Sequence, residues 1–196
     1  MEIEQFSATA RELLEELGYT IYTLHGKSLR TLHAETGQPI LEDLEWNEFI
    51  DGEWIQLREP GYFWSEVAWA TEVAINRDSP ILPESSDKSY KEHQRMVAEF
   101  SEKTSKQVPG TKAIIGTASY YVELTLIHYK ATGMPLFEYD VRLVTINEYK
   151  NKYFVTNGEY LVQIGRSKKG LHCWKYWLGT WGRYDVWLMP LVVPRG

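Results

Sequence analysis

The chain is 196 residues long, with 43% hydrophobic residues, 24% charged residues and a formal net charge of -6. This composition is typical of a globular protein, so we expect little disorder outside short linkers, and roughly 70% of the unfolded surface should be buried without help from disulfides or a structural metal. No run of about 18 apolar residues occurs, so a membrane-spanning helix is not expected.

The first elements are predicted from the spacing of apolar residues. Between residues 2 and 17, apolar side chains recur at steps of three and four, which predicts an amphipathic helix, and Gly18 is placed to end it. Residues 19–32 are rich in β-branched and aromatic residues and are interrupted at Gly26. A β-hairpin is therefore expected there.

Two more hairpin turns and a second helix are expected before residue 77. The turns are Thr36-Gly37-Gln38-Pro39 and Asp51-Gly52, of which the second favours the type I′ geometry with positive φ at both central residues. Phe63, Val67, Ala70 and Ala74 lie at helical spacing and favour a helix over residues 62–76, and the alternative is that Trp64 and Trp69 cap a sheet. Residues 77–89 combine prolines, serines and charges without an apolar period, which indicates a linker or long loop.

The second half is predicted to begin with a helix over residues 90–106, which stops before Pro109, and to continue as strands. The strands, predicted from β-branched and aromatic runs, cover residues 113–115, 120–130, 141–146, 152–156, 159–165, 171–178 and 184–193. The last two runs are expected to form a closing pair.

Turn signals recur in the same order in the two halves. Thr36-Gly37-Gln38-Pro39 corresponds to Thr132-Gly133-Met134-Pro135, and Asp51-Gly52 corresponds to Asn157-Gly158. A degenerate internal duplication would explain this order. The alternative is that both halves use common turn chemistry, because glycine supplies positive φ and proline fixes its own φ.

With either explanation, the expected fold class is α+β. It has two halves, each a helix followed by an antiparallel meander, which either pack together or form two small domains. The N-terminal half covers residues 1–76, the linker or long loop covers residues 77–89, and the C-terminal half covers residues 90–196.

The formal charge changes along the chain. It is -10 over residues 1–66, -2 over residues 67–141 and +6 over residues 142–196. Such polarity can steer an anionic partner to one end or let the ends of two copies attract each other. The alternative is that the two ends neutralise each other within one fold.

A cluster of aromatic and basic residues near the C-terminus is the candidate partner-binding region. Its candidate binding residues are Lys168, Lys169, Trp174, Lys175, Trp177, Trp181 and Arg183. Trp, Tyr and Arg are typical anchors of protein interfaces, and cations interleaved with rings also suit single-stranded nucleic acid. In a strand, Trp174 lies on one face while Lys175 and Trp177 lie on the other, so packing of one face into a core is the third interpretation.

A catalytic role has weaker support in the sequence. Asp140 followed by Glu148-Tyr149-Lys150 resembles the Asp…Glu-x-Lys arrangement of metal-dependent nucleases, in which two carboxylates hold a divalent ion. Cys173 would need a histidine within hydrogen-bond reach to act as a nucleophile, and adjacent His172 lies on the opposite face of a strand. No zinc-ligand or phosphate-loop spacing occurs, so no cofactor or bound metal is expected.

The single cysteine excludes an intrachain disulfide and favours a reducing compartment, and residues 1–5 lack the basic and apolar pattern of a signal peptide. These observations predict a cytoplasmic protein. The expected function is a non-catalytic binding or accessory protein whose C-terminal region contacts a protein partner or a second copy. A small metal-dependent nuclease is the alternative, and binding of single-stranded nucleic acid without cleavage is the second alternative.

Overall fold

A computed structural model gives the fold of the protein. It describes residues 3–36, 46–50, 53–57, 69–76, 78–79, 81–85, 88, 90–134, 136, 142–147, 160–167, 170–177 and 186–196.

The described residues form a mixed α+β structure, as predicted. The helices are α1 (Ala8–Glu16), α2 (Leu29–Thr36), α3 (Tyr90–Gln107) and α4 (Ala118–Thr132). The strands are β1 (Tyr19–His25), β2 (Trp46–Ile50), β3 (Glu53–Leu57), β4 (Ala70–Asn76), β5 (Thr111–Ile114), β6 (Arg142–Asn147), β7 (Tyr160–Ser167), β8 (Gly170–Trp177), β9 (Val186–Trp187) and β10 (Leu191–Pro194).

Four strands, in the order β1-β4-β10-β5, form an antiparallel sheet that we call the central sheet. β1 pairs with β4 along its whole length, from Tyr19 opposite Asn76 to His25 opposite Ala70. The two inner strands meet where Val192 lies opposite Ala74. The sheet therefore joins strands that precede and follow the predicted linker.

Both faces of the central sheet are covered by helices. On one face, α1 and α3 contribute to a core that includes Leu14, Ala74 and Val97. On the other face, α2 and α4 contribute Leu32 and Leu124 to a second core. Because successive strand residues face opposite sides, a strand covered in this way carries apolar residues at consecutive positions.

This double coverage explains an incorrect prediction. Residues 62–76 were expected to be helical, but residues 70–76 form β4, and residues 62–68 lie outside the described part of the chain. Residues 70–75 of β4 are all buried. A strand buried on both faces lacks the alternation that identifies a strand, so its small apolar residues resemble a helical stripe.

Helix α4 contradicts the predicted strand over residues 120–130. It begins after Thr117, whose hydroxyl oxygen accepts the N–H of Tyr120, and it ends at Gly133, which has a φ of 71°. Residues 119–125 are buried at every position, since α4 contacts α2, β1, β6 and β7. A helix surrounded in this way has no polar face, and its β-branched and aromatic residues resemble those of a strand.

The predicted hairpin over residues 19–32 is also wrong. β1 ends at His25, and α2 begins at Leu29. The hydroxyl oxygen of Ser28 accepts the N–H of Thr31 at 3.2 Å, which caps the helix. The segment after Gly26 is therefore a strand-to-helix turn.

Several other predictions are confirmed. α1 ends before Gly18, whose φ is 81°, and α3 covers the helix predicted over residues 90–106. β2 and β3 form an antiparallel hairpin in which Ile50 lies opposite Glu53, around the predicted turn. Three further strands match the runs at 113–115, 141–146 and 159–165.

The predicted closing pair of residues 171–178 with residues 184–193 is wrong. β8 pairs with β7, whereas β10 pairs with β4 and β5 in the central sheet. Pairing partners depend on contacts distant in sequence, which a local β pattern does not encode. The predictions for residues 37–39, the turn type at residues 51–52, and the predictions for residues 152–156 and 157–158 lie outside the described residues.

Two stretches of the chain have the same order of elements. In each stretch, a helix is followed by a glycine with a φ of 81°, a strand, a three-residue connection and a second helix. The first stretch is α1-β1-α2 with Gly18, and the second is α3-β5-α4 with Gly110. The central sheet places these first strands at its edges and the last strand of each half, β4 and β10, at its centre.

Candidate functional site

The predicted partner-binding region falls in a second sheet, which we call the C-terminal sheet, with the strand order β8-β7-β6-β9. β6, β7 and β8 are antiparallel, and β9 adds to β6 in parallel, with Trp187 opposite Leu143. Among the described strands, β8 pairs with β7 alone, so it occupies the edge of this sheet. α4 contacts β6 and β7.

The structure places three of the seven predicted binding residues on β8. Trp174 lies opposite Gln163, Lys175 opposite Val162, and Trp177 opposite Tyr160. Since alternate residues of a strand share a face, Lys175 and Trp177 occupy one face and Trp174 the other. Lys168, Lys169, Trp181 and Arg183 lie outside the described residues.

The candidate catalytic residues of the nuclease hypothesis lie in parts of the chain that the structure does not describe. Asp140, Glu148 and Lys150 lie outside the described residues, on either side of β6. Within the part of the chain that is described, no group of three or more His, Cys, Asp or Glu residues is arranged to hold a metal ion. Cys173 lies opposite Ile164 of β7, and His172 lies opposite Gly165, so the two occupy alternate faces of β8.

Two buried carboxylates were missed by the sequence reasoning. Glu72 of β4 is only 3% exposed, forms an ion pair with Arg11 of α1 and accepts the N–H of Phe6 at 2.9 Å. A buried carboxylate requires such partners, because leaving water without them costs several kcal/mol. The carboxylate therefore fixes α1 and the preceding segment on the sheet. A lone glutamate within the apolar run of residues 70–75 is the signal that could have revealed it.

The second carboxylate belongs to Glu123 of α4, which is 2% exposed. It accepts the backbone N–H of His25 at 2.8 Å and that of Lys27 at 3.3 Å. These bonds satisfy two donors in the turn between β1 and α2. Glu123 therefore has a structural role. As with Glu72, the signal in the sequence is a lone glutamate within an apolar run.

A tyrosine–histidine pair joins α4 to β1. The Tyr22 hydroxyl lies 2.7 Å from Nδ1 of His128, with the ring centroids 6.0 Å apart. Partial burial lowers the pKa of His128 below its usual range, because desolvation disfavours the imidazolium. Near neutral pH, the pair is therefore an uncharged hydrogen bond.

His93 of α3 is a buried histidine with one unsatisfied nitrogen. It is 2% exposed, its Nε2 donates to the carbonyl oxygen of Ser85 at 2.8 Å, and its Nδ1 has no hydrogen-bond partner among the described residues. The Ser85 hydroxyl in turn donates to the Leu82 carbonyl oxygen at 2.6 Å and accepts the N–H of Leu188 at 2.9 Å. Together these bonds tie residues 82–85 to α3 and to the segment before β10.

The stability of the protein should fall below about pH 6.5 because of His93. Burial lowers the pKa of His93 from its ordinary value of 6.5, against smaller raising effects of the Ser85 hydrogen bond and Glu92. Below that value the unfolded chain binds a proton that the folded chain does not, so acid favours unfolding. On acidification from about pH 7 to about pH 5.5, this group should therefore lower the free energy of unfolding.

Urea titrations of the wild type and of His93→Gln at both pH values measure this effect. Glutamine keeps an N–H donor for Ser85 but does not titrate, so the variant serves as the control for all other ionisable groups. On acidification, the free energy of unfolding should fall more for the wild type than for the variant. Parallel pH profiles for the two proteins would show that the assignment to His93 is wrong.

Comparison with family models, with curated proteins and with solved structures found no match to this chain. Within the described ranges, no helix has both the length and the apolar character needed to cross a membrane.

Proposed function

We propose that the protein is a non-catalytic binding or accessory protein that engages a protein partner, or a second copy of itself, through its aromatic and basic C-terminal β region. The observation that carries the proposal is the position of β8 at the edge of the C-terminal sheet as described. An edge strand presents unpaired N–H and C=O groups, to which an added strand can bind.

The residues on this strand give the edge its chemical character. β8 places Lys175 and Trp177 on one face, and residues 142–196 together carry a formal charge of +6. Tryptophan supplies contact area, and the net positive charge selects acidic partners and accelerates their association. Residues 1–66, with a charge of -10, have the complementary sign, which makes a second copy a suitable partner.

The substitution Lys175→Glu should weaken partner binding about tenfold or more, because it reverses a charge at the centre of β8. Lys112→Glu is the matched control, since Lys112 also lies in an edge strand, β5 of the central sheet, and is exposed. Sedimentation velocity over a concentration series measures self-association, and affinity capture with mass spectrometry compares bound proteins for the wild type and both variants.

A specific loss of association in Lys175→Glu, with Lys112→Glu unchanged, would support the proposal. The proposal would be contradicted if the wild type stays monomeric and captures no protein that Lys175→Glu fails to capture. Far-ultraviolet circular dichroism of each variant confirms that the fold is retained. The proposed location is the cytoplasm, which is supported by the single cysteine.

We also infer that the two halves arose by internal duplication. The threonine of each Thr-Gly pair is the last residue of a helix, since α2 ends at Thr36 and α4 ends at Thr132. Ser28 and Thr117 cap these helices in the same way, each accepting the N–H three residues later. An experimental structure in which α1-β1-α2 and α3-β5-α4 fail to superpose would refute the duplication.

A further inference from the structure

An open pocket of about 170 Å³ lies beside the central sheet, on the side of α3. Its lining includes Tyr19 at the start of β1, Asn76 at the end of β4 and Phe100 of α3. The remaining walls are residues 79–83, as far as these are described, and Pro190. This pocket is separate from the C-terminal sheet and from the proposed partner-binding edge.

The loop that forms the outer wall is anchored at several points. The Leu82 N–H donates to the Leu188 carbonyl oxygen at 2.8 Å, and the Ser85 hydroxyl bonds both residues. His93 holds the carbonyl oxygen of Ser85. Because these bonds fix the loop without any ligand, the pocket is preformed, which is the usual condition of small-molecule sites.

The walls are apolar and partly aromatic. Tyr19 and Phe100 contribute rings, Ile81 and Leu82 contribute aliphatic groups, and Pro83 and Pro190 add ring faces. None of the described lining residues carries a charge. A charged ligand would lose its hydration here without a compensating ion pair, so the walls favour an uncharged group.

Asn76 gives the pocket a directional amide, in addition to the hydroxyl groups of the lining residues Tyr19 and Ser79. Its Oδ1 accepts the N–H of Asp78 at 3.0 Å and that of Ser79 at 2.9 Å, which assigns the oxygen and leaves Nδ2 as a donor. Among the described residues, no acceptor is hydrogen-bonded to this nitrogen. A ligand that satisfies Asn76 must therefore bring an acceptor.

We propose that this pocket binds a single uncharged aromatic ring that carries a carbonyl group, with the ring beside Tyr19 and Phe100 and the carbonyl oxygen accepting a hydrogen bond from Nδ2 of Asn76. The volume supports a ligand of this size, because an engineered apolar cavity of about 150 Å³ in another protein holds benzene. Drug-sized ligands need about 300 Å³ or more and would not fit.

Acetophenone is the probe for this proposal, titrated into the ¹⁵N-labelled full chain and followed by amide chemical shifts. A ligand of this size should saturate with a dissociation constant on the order of a few millimolar. Toluene has the ring without the acceptor and benzoate has a charge, so each should bind about tenfold more weakly or not at all. Saturable shifts should include the side-chain amide of Asn76.

Two substitutions test the geometry. Asn76→Asp keeps an oxygen for the N–H groups of Asp78 and Ser79 but removes the donor, so acetophenone should bind about tenfold more weakly. Ile81→Trp should fill the pocket and abolish binding of acetophenone. If Asn76→Asp does not fold, nuclear Overhauser contacts between the acetophenone ring and the rings of Tyr19 and Phe100 in the wild type decide the question.

The proposal is overturned if acetophenone causes no saturable shifts up to about 20 mM. It is equally overturned if benzoate binds more tightly than acetophenone, if Ile81→Trp leaves binding intact, or if folded Asn76→Asp binds as the wild type does. Because the pocket does not include β8, none of these outcomes depends on the proposed partner-binding function.

Discussion

Replacing Leu124 by alanine should lower the free energy of unfolding by about 3–5 kcal/mol. Leu124 is fully buried in α4. It belongs to the core cluster that contains Leu24 of β1 and Leu191 of β10. The substitution removes buried methyl groups and leaves a cavity that these neighbours fill only in part.

The position of α4 accounts for the size of this effect. The helix packs on the central sheet and also contacts β6 and β7 of the C-terminal sheet. An element that is packed on one side only can move towards a cavity and partly fill it. A helix that is packed on several sides has little freedom to move in this way. Leu124 should therefore fall near the upper end of the range for leucine-to-alanine substitutions.

Urea unfolding monitored by circular dichroism measures the change in stability. Met134→Ala is the matched control, because Met134 follows the same helix and is 63% exposed. Its substitution should change the free energy of unfolding by no more than about 0.5 kcal/mol. A comparable loss in both variants, or less than about 1 kcal/mol for Leu124→Ala, would show that α4 is not the enclosed helix described above.

The elements that could be predicted from the sequence are those with one covered face. α1 and α3 each present apolar residues at helical spacing and end near a glycine or proline, so their periodicity and their caps agree. β2 and β3 were predicted from a turn signal between two strands. In these cases, local sequence determines local structure without information from distant residues.

Elements covered on several sides could not be predicted in the same way. α4 and β4 are buried at consecutive positions, so neither shows the period of 3.6 or of two that distinguishes a helix from a strand. Short-range signals did exist, namely the Thr117 cap and Gly133 at the end of α4. The aromatic and β-branched residues between Tyr120 and Lys130 nevertheless favour a strand, and they conceal these helix signals.

The candidate site was predictable only in part, for a related reason. The sequence placed Trp174, Lys175 and Trp177 on one strand with alternating faces, and β8 has this arrangement. The edge position of β8 follows from its pairing with β7, and the pocket beside Asn76 follows from contacts between residues far apart in the chain. Such pairings are properties of the fold, and no local pattern encodes them.

A buried hydroxyl group illustrates the energetic weight of these long-range contacts. Tyr121 of α4 is fully buried, and its hydroxyl donates to the Met189 carbonyl oxygen at 2.5 Å while it accepts the N–H of Gly116 at 3.2 Å. Burial raises the pKa of Tyr121, so the hydroxyl remains a donor throughout the physiological pH range. One side chain thereby satisfies two backbone groups 73 residues apart in the chain.

The substitution Tyr121→Phe should lower the free energy of unfolding by about 3 kcal/mol, because the loss of one hydroxyl leaves two buried backbone groups without a partner. Phenylalanine has nearly the same volume, so the change isolates the hydrogen bonds from the packing. The ring itself fits closely, since a Cβ atom at Gly116 would lie 3.2 Å from the Tyr121 ring and 2.6 Å from Leu191.

Thermal and urea unfolding of Tyr121→Phe and of Tyr129→Phe provide the comparison. Tyr129 lies on the same helix and is half exposed, so water can solvate any group that loses a partner, and its substitution should cost clearly less than that of Tyr121. If both variants were equally stable, the Tyr121 hydroxyl would not be satisfying Gly116 and Met189. The connection between α4 and the segment before β10 would then depend on apolar packing alone.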